Sequence, residues 1–179
     1  VAEFLGTGAL TLLILSIKYT SLGVGFFVAA IAGIAVATLS LAVAGVSGGY
    51  FNPALTLAMW TARKIDTVKG VLYIAVQLLA GFAAFHLFTY LINNDLSSVS
   101  NDSHFTWRIM TAEAVATGVF AFAWASSAYK RLNVPVSATL AGLAYMVAIV
   151  IASAPGISAQ GGLYTGFASP AVALGAKSW

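Results

Sequence analysis

Ten residues constrain this chain more than any others: Ser47-Gly48-Gly49-Tyr50-Phe51-Asn52-Pro53-Ala54-Leu55-Thr56. They follow a long apolar run, yet they cannot continue it as a spanning helix. Pro53 lacks an N–H and has φ fixed near the helical value, which suits the first position of a helix. Asn52 before it is a strong N-cap. Asn52-Pro53-Ala54 therefore reads as a helix that starts at bilayer depth. Gly48 and Gly49 allow the preceding backbone to turn sharply and approach other segments. A helix start points unpaired N–H groups and a partial positive charge ahead of it. Lipid satisfies neither, so this start must line a wet cavity or be buried in protein.

The rest of the chain supplies that setting. Hydrophobic residues make up 60% of it and charged residues 7%, with a mean hydropathy of +0.95. This composition is that of an all-α, multi-pass integral membrane protein whose main partner is the lipid bilayer. There is no cysteine, so disulfide and thiol chemistry are excluded. A net charge of +3, carried by basic residues in loops and near span ends, points to topology and not to nucleic-acid binding.

The spans expected in order are 2–17, 22–45, 68–92, 109–129 and 135–154, with a half-helix at 53–62. The segment 93–104 is a polar aqueous loop, and 155–167 is Gly-rich and irregular. Ser169-Pro170-Ala171 then opens a second helix that runs to Trp179. Five basic residues, Arg63, Lys64, Lys69, Lys130 and Arg131, fall on one side, and three, Lys18, Arg108 and Lys177, on the other. The positive-inside bias places the start of the chain on the cytoplasmic side.

The two halves match. Ala2-Glu3-x-x-x-Thr7-Gly8 parallels Ala112-Glu113-x-x-x-Thr117-Gly118, and Asn52-Pro53-Ala54 parallels Ser169-Pro170-Ala171. One domain over 1–179 thus holds a first repeat at about 1–92 and an incomplete second at about 107–179. An odd number of spans per repeat makes the second copy enter from the opposite face, an arrangement of inverted repeats with broken helices.

These motifs, with Gln77 and Gly81 in the third span and Tyr164-Thr165-Gly166 before the second helix start, resemble the aquaporin and aquaglyceroporin family, the major intrinsic proteins. The resemblance covers nearly the whole chain. It implies a right-handed bundle of six tilted helices with two half-helices, usually assembled as a homotetramer with one pore per protomer. Asn52, Pro53, Ala54, Ser169, Pro170 and Ala171 would cap the half-helices and line the pore. Glu3 and Glu113 would accept hydrogen bonds from the half-helix loops, and Gln77 would be a further structural polar group. The pore's narrow point would fall at Ala32, Ile149, Gly166 or Phe167, and Val172.

Three departures stand out. The family's second motif is Asn-Pro-Ala-Arg, and here it is Ser169-Pro170-Ala171-Val172. Serine is still an N-cap and a hydroxyl donor. Valine supplies neither the donors nor the charge of the arginine, and Lys177, five residues on, does not share its helical face. An Ala, Ile, Val and Phe ring is apolar, so it favours small neutral solutes over strict water selection, or dewets and closes. The third departure is the sixth span, which has no counterpart before Trp179. A truncated chain, a partner filling the gap and a protein that is no longer a channel are the three readings of that difference.

No phosphate loop, nucleophile–base pair or metal-ligand cluster is present, so neither catalysis nor a cofactor is expected. His86, in a Phe-rich stretch, reads as packed or interfacial. Trp60, Trp107, Trp124 and Trp179 read as interface anchors. The function expected is a passive channel for water or small uncharged solutes such as glycerol. The alternative is an aquaporin-like structural subunit of a larger membrane assembly.

Overall fold

The computed structural model describes residues 1–19, 25–93, 107–157 and 167–175. These residues form seven helices: α1 (Ala2–Tyr19), α2 (Gly25–Val43), α3 (Pro53–Thr61), α4 (Thr67–Ile92), α5 (Trp107–Tyr129), α6 (Val134–Ile157) and α7 (Pro170–Gly175). Apolar segments in α2, α4, α5 and α6 are long enough to cross a membrane, and Ala2–Ile17 of α1 is a shorter apolar helix. In lipid, a helix satisfies its own backbone, which is why such segments have one conformation open to them.

Most boundaries fall within two or three residues of the sequence expectation. Two differ for a physical reason. Lys18 and Tyr19, expected in a loop, extend α1. Pro155, expected to begin an irregular segment, lies inside α6, which continues to Ile157. A proline deletes one N–H, and near the C-terminal end of a helix few later hydrogen bonds depend on it. The loop at 94–104, Gly166, Lys177 and Trp179 lie outside the described residues.

The repeats are packed about the crossing of their second helices, α2 against α6. Glycines set the distance there. A Cβ on Gly33 would lie 2.6 Å from the Gly142 carbonyl oxygen, and one on Gly142 would collide with the Gly33 carbonyl. Close approach of small residues is how helices gain contact where lipid removes the hydrophobic drive. Around this crossing, α1 packs on α4, and α5 on α6. The short helix α3 touches α4 and α5, while α7 touches α4 and α1. The two half-helices therefore sit between the long ones, and they touch each other.

Candidate functional site

The site is the place where α3 and α7 begin. Asn52 has extended backbone, and its Oδ1 accepts from Ala54 N at 2.9 Å, so it caps α3 as its type predicts. Its Nδ2 donates to the Ala168 carbonyl at 2.6 Å, tying the first half-helix start to the residue before the second. An amide has two hydrogens. The second has no acceptor among the described residues, although Asn52 is buried.

Each start follows a residue in the left-handed region, Phe51 at φ 51° and Ala168 at φ 46°. Such conformations need support from their surroundings. A carboxylate gives it in both cases, buried at Glu3 and half-buried at Glu113. Glu3 accepts from Tyr50 N (3.0 Å) and Phe51 N (2.8 Å). Glu113 accepts from Phe167 N and Ala168 N, both at 2.8 Å. The inverted repeat inferred from E-x-x-x-T-G is thus expressed as matched hydrogen bonds.

Glu3 has two further donors. Ser47 Oγ lies 2.7 Å from Oε1, and Gln77 Nε2 lies 2.7 Å from Oε2. Gln77 Oε1 then accepts from Thr56 Oγ1 at 3.0 Å, which returns the network to α3. Tyr73 Oη donates to the Ser47 carbonyl at 3.1 Å. A carboxylate removed from water needs its lone pairs filled, and four donors do that here. Gly6 admits the Phe51 ring, since a Cβ there would overlap it. Gly81 plays the same part for α7, because its Cβ would run into the Ala171 carbonyl.

Ser169 is different from Asn52. Its hydroxyl has no hydrogen-bond partner among the described residues, and the residue is only 3% exposed. Ser169 holds the cap position, its carbonyl accepting from Ala173 N at 3.0 Å, but its hydroxyl makes no capping hydrogen bond among the described residues. A second buried hydroxyl, Thr7 Oγ1, is also unpaired among the described residues.

Ala32, Ile149, Phe167 and Val172 belong to one buried apolar cluster. None exposes more than 2% of its surface. Tyr145 closes one side, with its Oη donating to the Phe167 carbonyl at 2.7 Å. A cavity of about 290 Å³ is lined by Ser40, Gly48, Trp124, Ser127, Arg131 and Ser137 among others. Gly49 O is used by Ser40 Oγ at 3.3 Å, while Gly48 O has no partner among the described residues.

Trp124 is not the interface anchor expected from its position. It is 7% exposed, lines this cavity and lies tilted against Tyr50 with ring centroids 5.9 Å apart. Its place five residues before the end of α5 suggested the surface, but only the packing of α5 on α6 decides which face is inward. Trp107, 71% exposed at the start of α5, keeps a position suited to an interface. His86 is exposed and packs edge-on against Phe82 (4.4 Å) and Phe85 (5.4 Å). No cluster of three metal-binding side chains occurs among the described residues. Sequence reasoning assigned no role to Ser47, Thr56, Tyr73 or Tyr145. Ser47 and Thr56 flank the Asn52 motif, which was the available signal.

Paired helix starts, each braced by a glutamate, define a helical membrane protein built from two repeats with a half-helix in each. The sequence model of the major intrinsic protein family matches residues 1–178, and the chain belongs to that family. Aquaporin Z of Brucella melitensis biotype 1 is 38% identical over 89 residues, 46% of this chain and 39% of the relative. Glycerol uptake facilitator protein-like 6 of Lactiplantibacillus plantarum is 36% identical over 89 residues, 46% of this chain and 38% of the relative. The matched segments span about two-fifths of these relatives' length. In fold, the chain is similar to the crystal structure of the aquaglyceroporin from Plasmodium falciparum, with a TM-score of 0.72 at 22% identity, covering 98% of this chain and 77% of that one.

Proposed function

We propose that this chain forms a passive pore for water or small uncharged solutes of the glycerol type, and is not an enzyme. One observation carries the proposal: a spare Asn52 amide hydrogen and an unpartnered Ser169 hydroxyl are buried at the junction of two half-helix starts. Polar groups left unpaired in a membrane interior are costly unless a solute or water meets them. Permeants would exchange hydration for Asn52, Ser169 and the Gly48 carbonyl. The ring of Ala32, Ile149, Phe167 and Val172 would be the narrow point, with Gly166 as its neighbour. The half-helix ends would disfavour cations without the family's arginine. The start of the chain faces the cytoplasm in this reading, and the family's homotetramer is the expected assembly.

A second reading, a structural subunit without conduction, is favoured by the burial of that whole ring in one apolar cluster. Stopped-flow light scattering on proteoliposomes under water, glycerol and urea gradients separates the two. The channel predicts solute-specific flux above that of empty liposomes, reduced by Ala32→Trp or Asn52→Leu. Flux equal to empty liposomes with folded protein overturns it in favour of the subunit.

A further inference from the structure

The α3–α4 turn carries a second candidate site, away from the half-helix junction. It forms an open recess of about 590 Å³ lined by Trp60, Thr61, Arg63, Lys64, Asp66 and Thr67 and floored by Ile65. The recess is held in shape by the chain around it. Arg63 takes a left-handed φ of 55°, while its N–H reaches the Trp60 carbonyl and the Lys64 N–H reaches the Met59 carbonyl, both at 2.9 Å. The Trp60 indole is locked on two sides. Its Nε1 donates to Thr67 Oγ1 at 3.1 Å, and its ring lies against Gly70, where a Cβ would meet it at 3.1 Å.

Within this frame the charges are unbalanced. Arg63 and Lys64 are exposed, and neither has a hydrogen-bond or ion-pair partner for its side chain among the described residues. The single carboxylate in the recess, Asp66, has its Oδ1 committed to Lys69 N at 2.9 Å as the α4 cap. Lys69 itself is turned over the Tyr73 ring at 5.6 Å. Two free cations beside a fixed, half-buried tryptophan at the end of a membrane helix match the level where headgroups meet acyl chains.

We propose that this recess binds the phosphodiester of an anionic lipid in the leaflet at that end of the bundle. Arg63 presents a planar fork to two phosphate oxygens, Lys64 adds a point charge, and Trp60 packs on the glycerol backbone. The inference does not depend on whether the pore conducts.

The test is native mass spectrometry of the full chain in detergent, titrated with phosphatidylglycerol or phosphatidylcholine. Thermal melting confirms that each variant is folded. Wild type should hold phosphatidylglycerol at least tenfold more tightly than phosphatidylcholine. Arg63→Gln with Lys64→Gln should weaken it by about fivefold per charge removed. Lys130→Gln with Arg131→Gln removes the same charge from the α5–α6 turn at the same end, and should change binding less than twofold. Inorganic phosphate at matched concentration should not displace the lipid. Equal losses in the two double variants would assign the effect to diffuse surface charge and overturn the site. Absence of headgroup preference, or displacement by inorganic phosphate, would overturn it as well.

Discussion

The starts of α3 and α7 share a plan and differ in how firmly it is carried out. At α3 the carboxylate of Glu3 gathers four donors, two from backbone, one from Ser47 and one from Gln77, and Asn52 caps the helix. At α7 the described residues give Glu113 two backbone donors, and Ser169 leaves its hydroxyl idle. Glu3 is 2% exposed, whereas Glu113 is half-buried. Among the described residues the first start is thus held by side chains as well as backbone, while the second, whose hydroxyl makes no cap, is positioned through Glu113, Asn52 and the backbone approach of α4 at Gly81. A polar network in low dielectric is stiff when every member is satisfied. The difference teaches that the repeat's symmetry lies in backbone geometry, while its rigidity lies in side chains that the halves do not share.

The largest effect should come from the glutamates. Glu3→Ala leaves four donors without their acceptor, three of them buried, at about 1–3 kcal/mol each, and should cost at least about 4 kcal/mol or prevent folding. Glu113→Ala leaves at least the Phe167 and Ala168 N–H groups without their acceptor and should cost at least about 2 kcal/mol. Thermal unfolding in detergent measures both, and equal losses would break the contrast between the two starts. Next, Gly81→Ala forces a methyl group against the Ala171 carbonyl and should cost about 1–3 kcal/mol. Its loss should appear as altered solute flux together with a lower melting temperature, since α7 is what moves. Tyr73→Phe removes one hydrogen bond to the Ser47 carbonyl and should cost about 0.5–1.5 kcal/mol. A larger value would mean that the brace around Glu3 extends through Ser47. Smallest of all, Ser169→Ala deletes a hydroxyl that bonds nothing among the described residues and should change stability by less than about 0.5 kcal/mol. If the channel reading holds, the same variant lowers polyol flux relative to water flux, and a stability loss near that of a cap would show that Ser169 does hold α7.

Much of this was open to a reader of the chain. Pro53 and Pro170 marked both half-helix starts, because proline fits the first turn of a helix and little else in an apolar run. Glu3 and Glu113 were visible as matched charges where charge is costly, and their acceptance from the half-helix loops followed from the family resemblance. The inward face of α5 was not visible. α5 is apolar around much of its circumference, so no stripe told that Trp124 turns in while Phe122 turns out at 77% exposure. Pro155 also misled, because its position within the last turn of α6 depends on where that helix ends.

The sequence by itself determined that the protein is a bundle of membrane helices, that two helices begin within it, and that each repeat has a glutamate on its first helix. Those are local consequences of hydropathy, proline stereochemistry and the scarcity of charge. Tertiary structure alone decided that Asn52 would reach Ala168, that Gln77 would join Glu3, and that the Ser169 hydroxyl would have no hydrogen-bond partner among the described residues. Such contacts join residues as much as 116 positions apart. A hydrogen bond depends on distances of a few tenths of an ångström, and these are fixed by the approach of α2 to α6 and of α4 to α7.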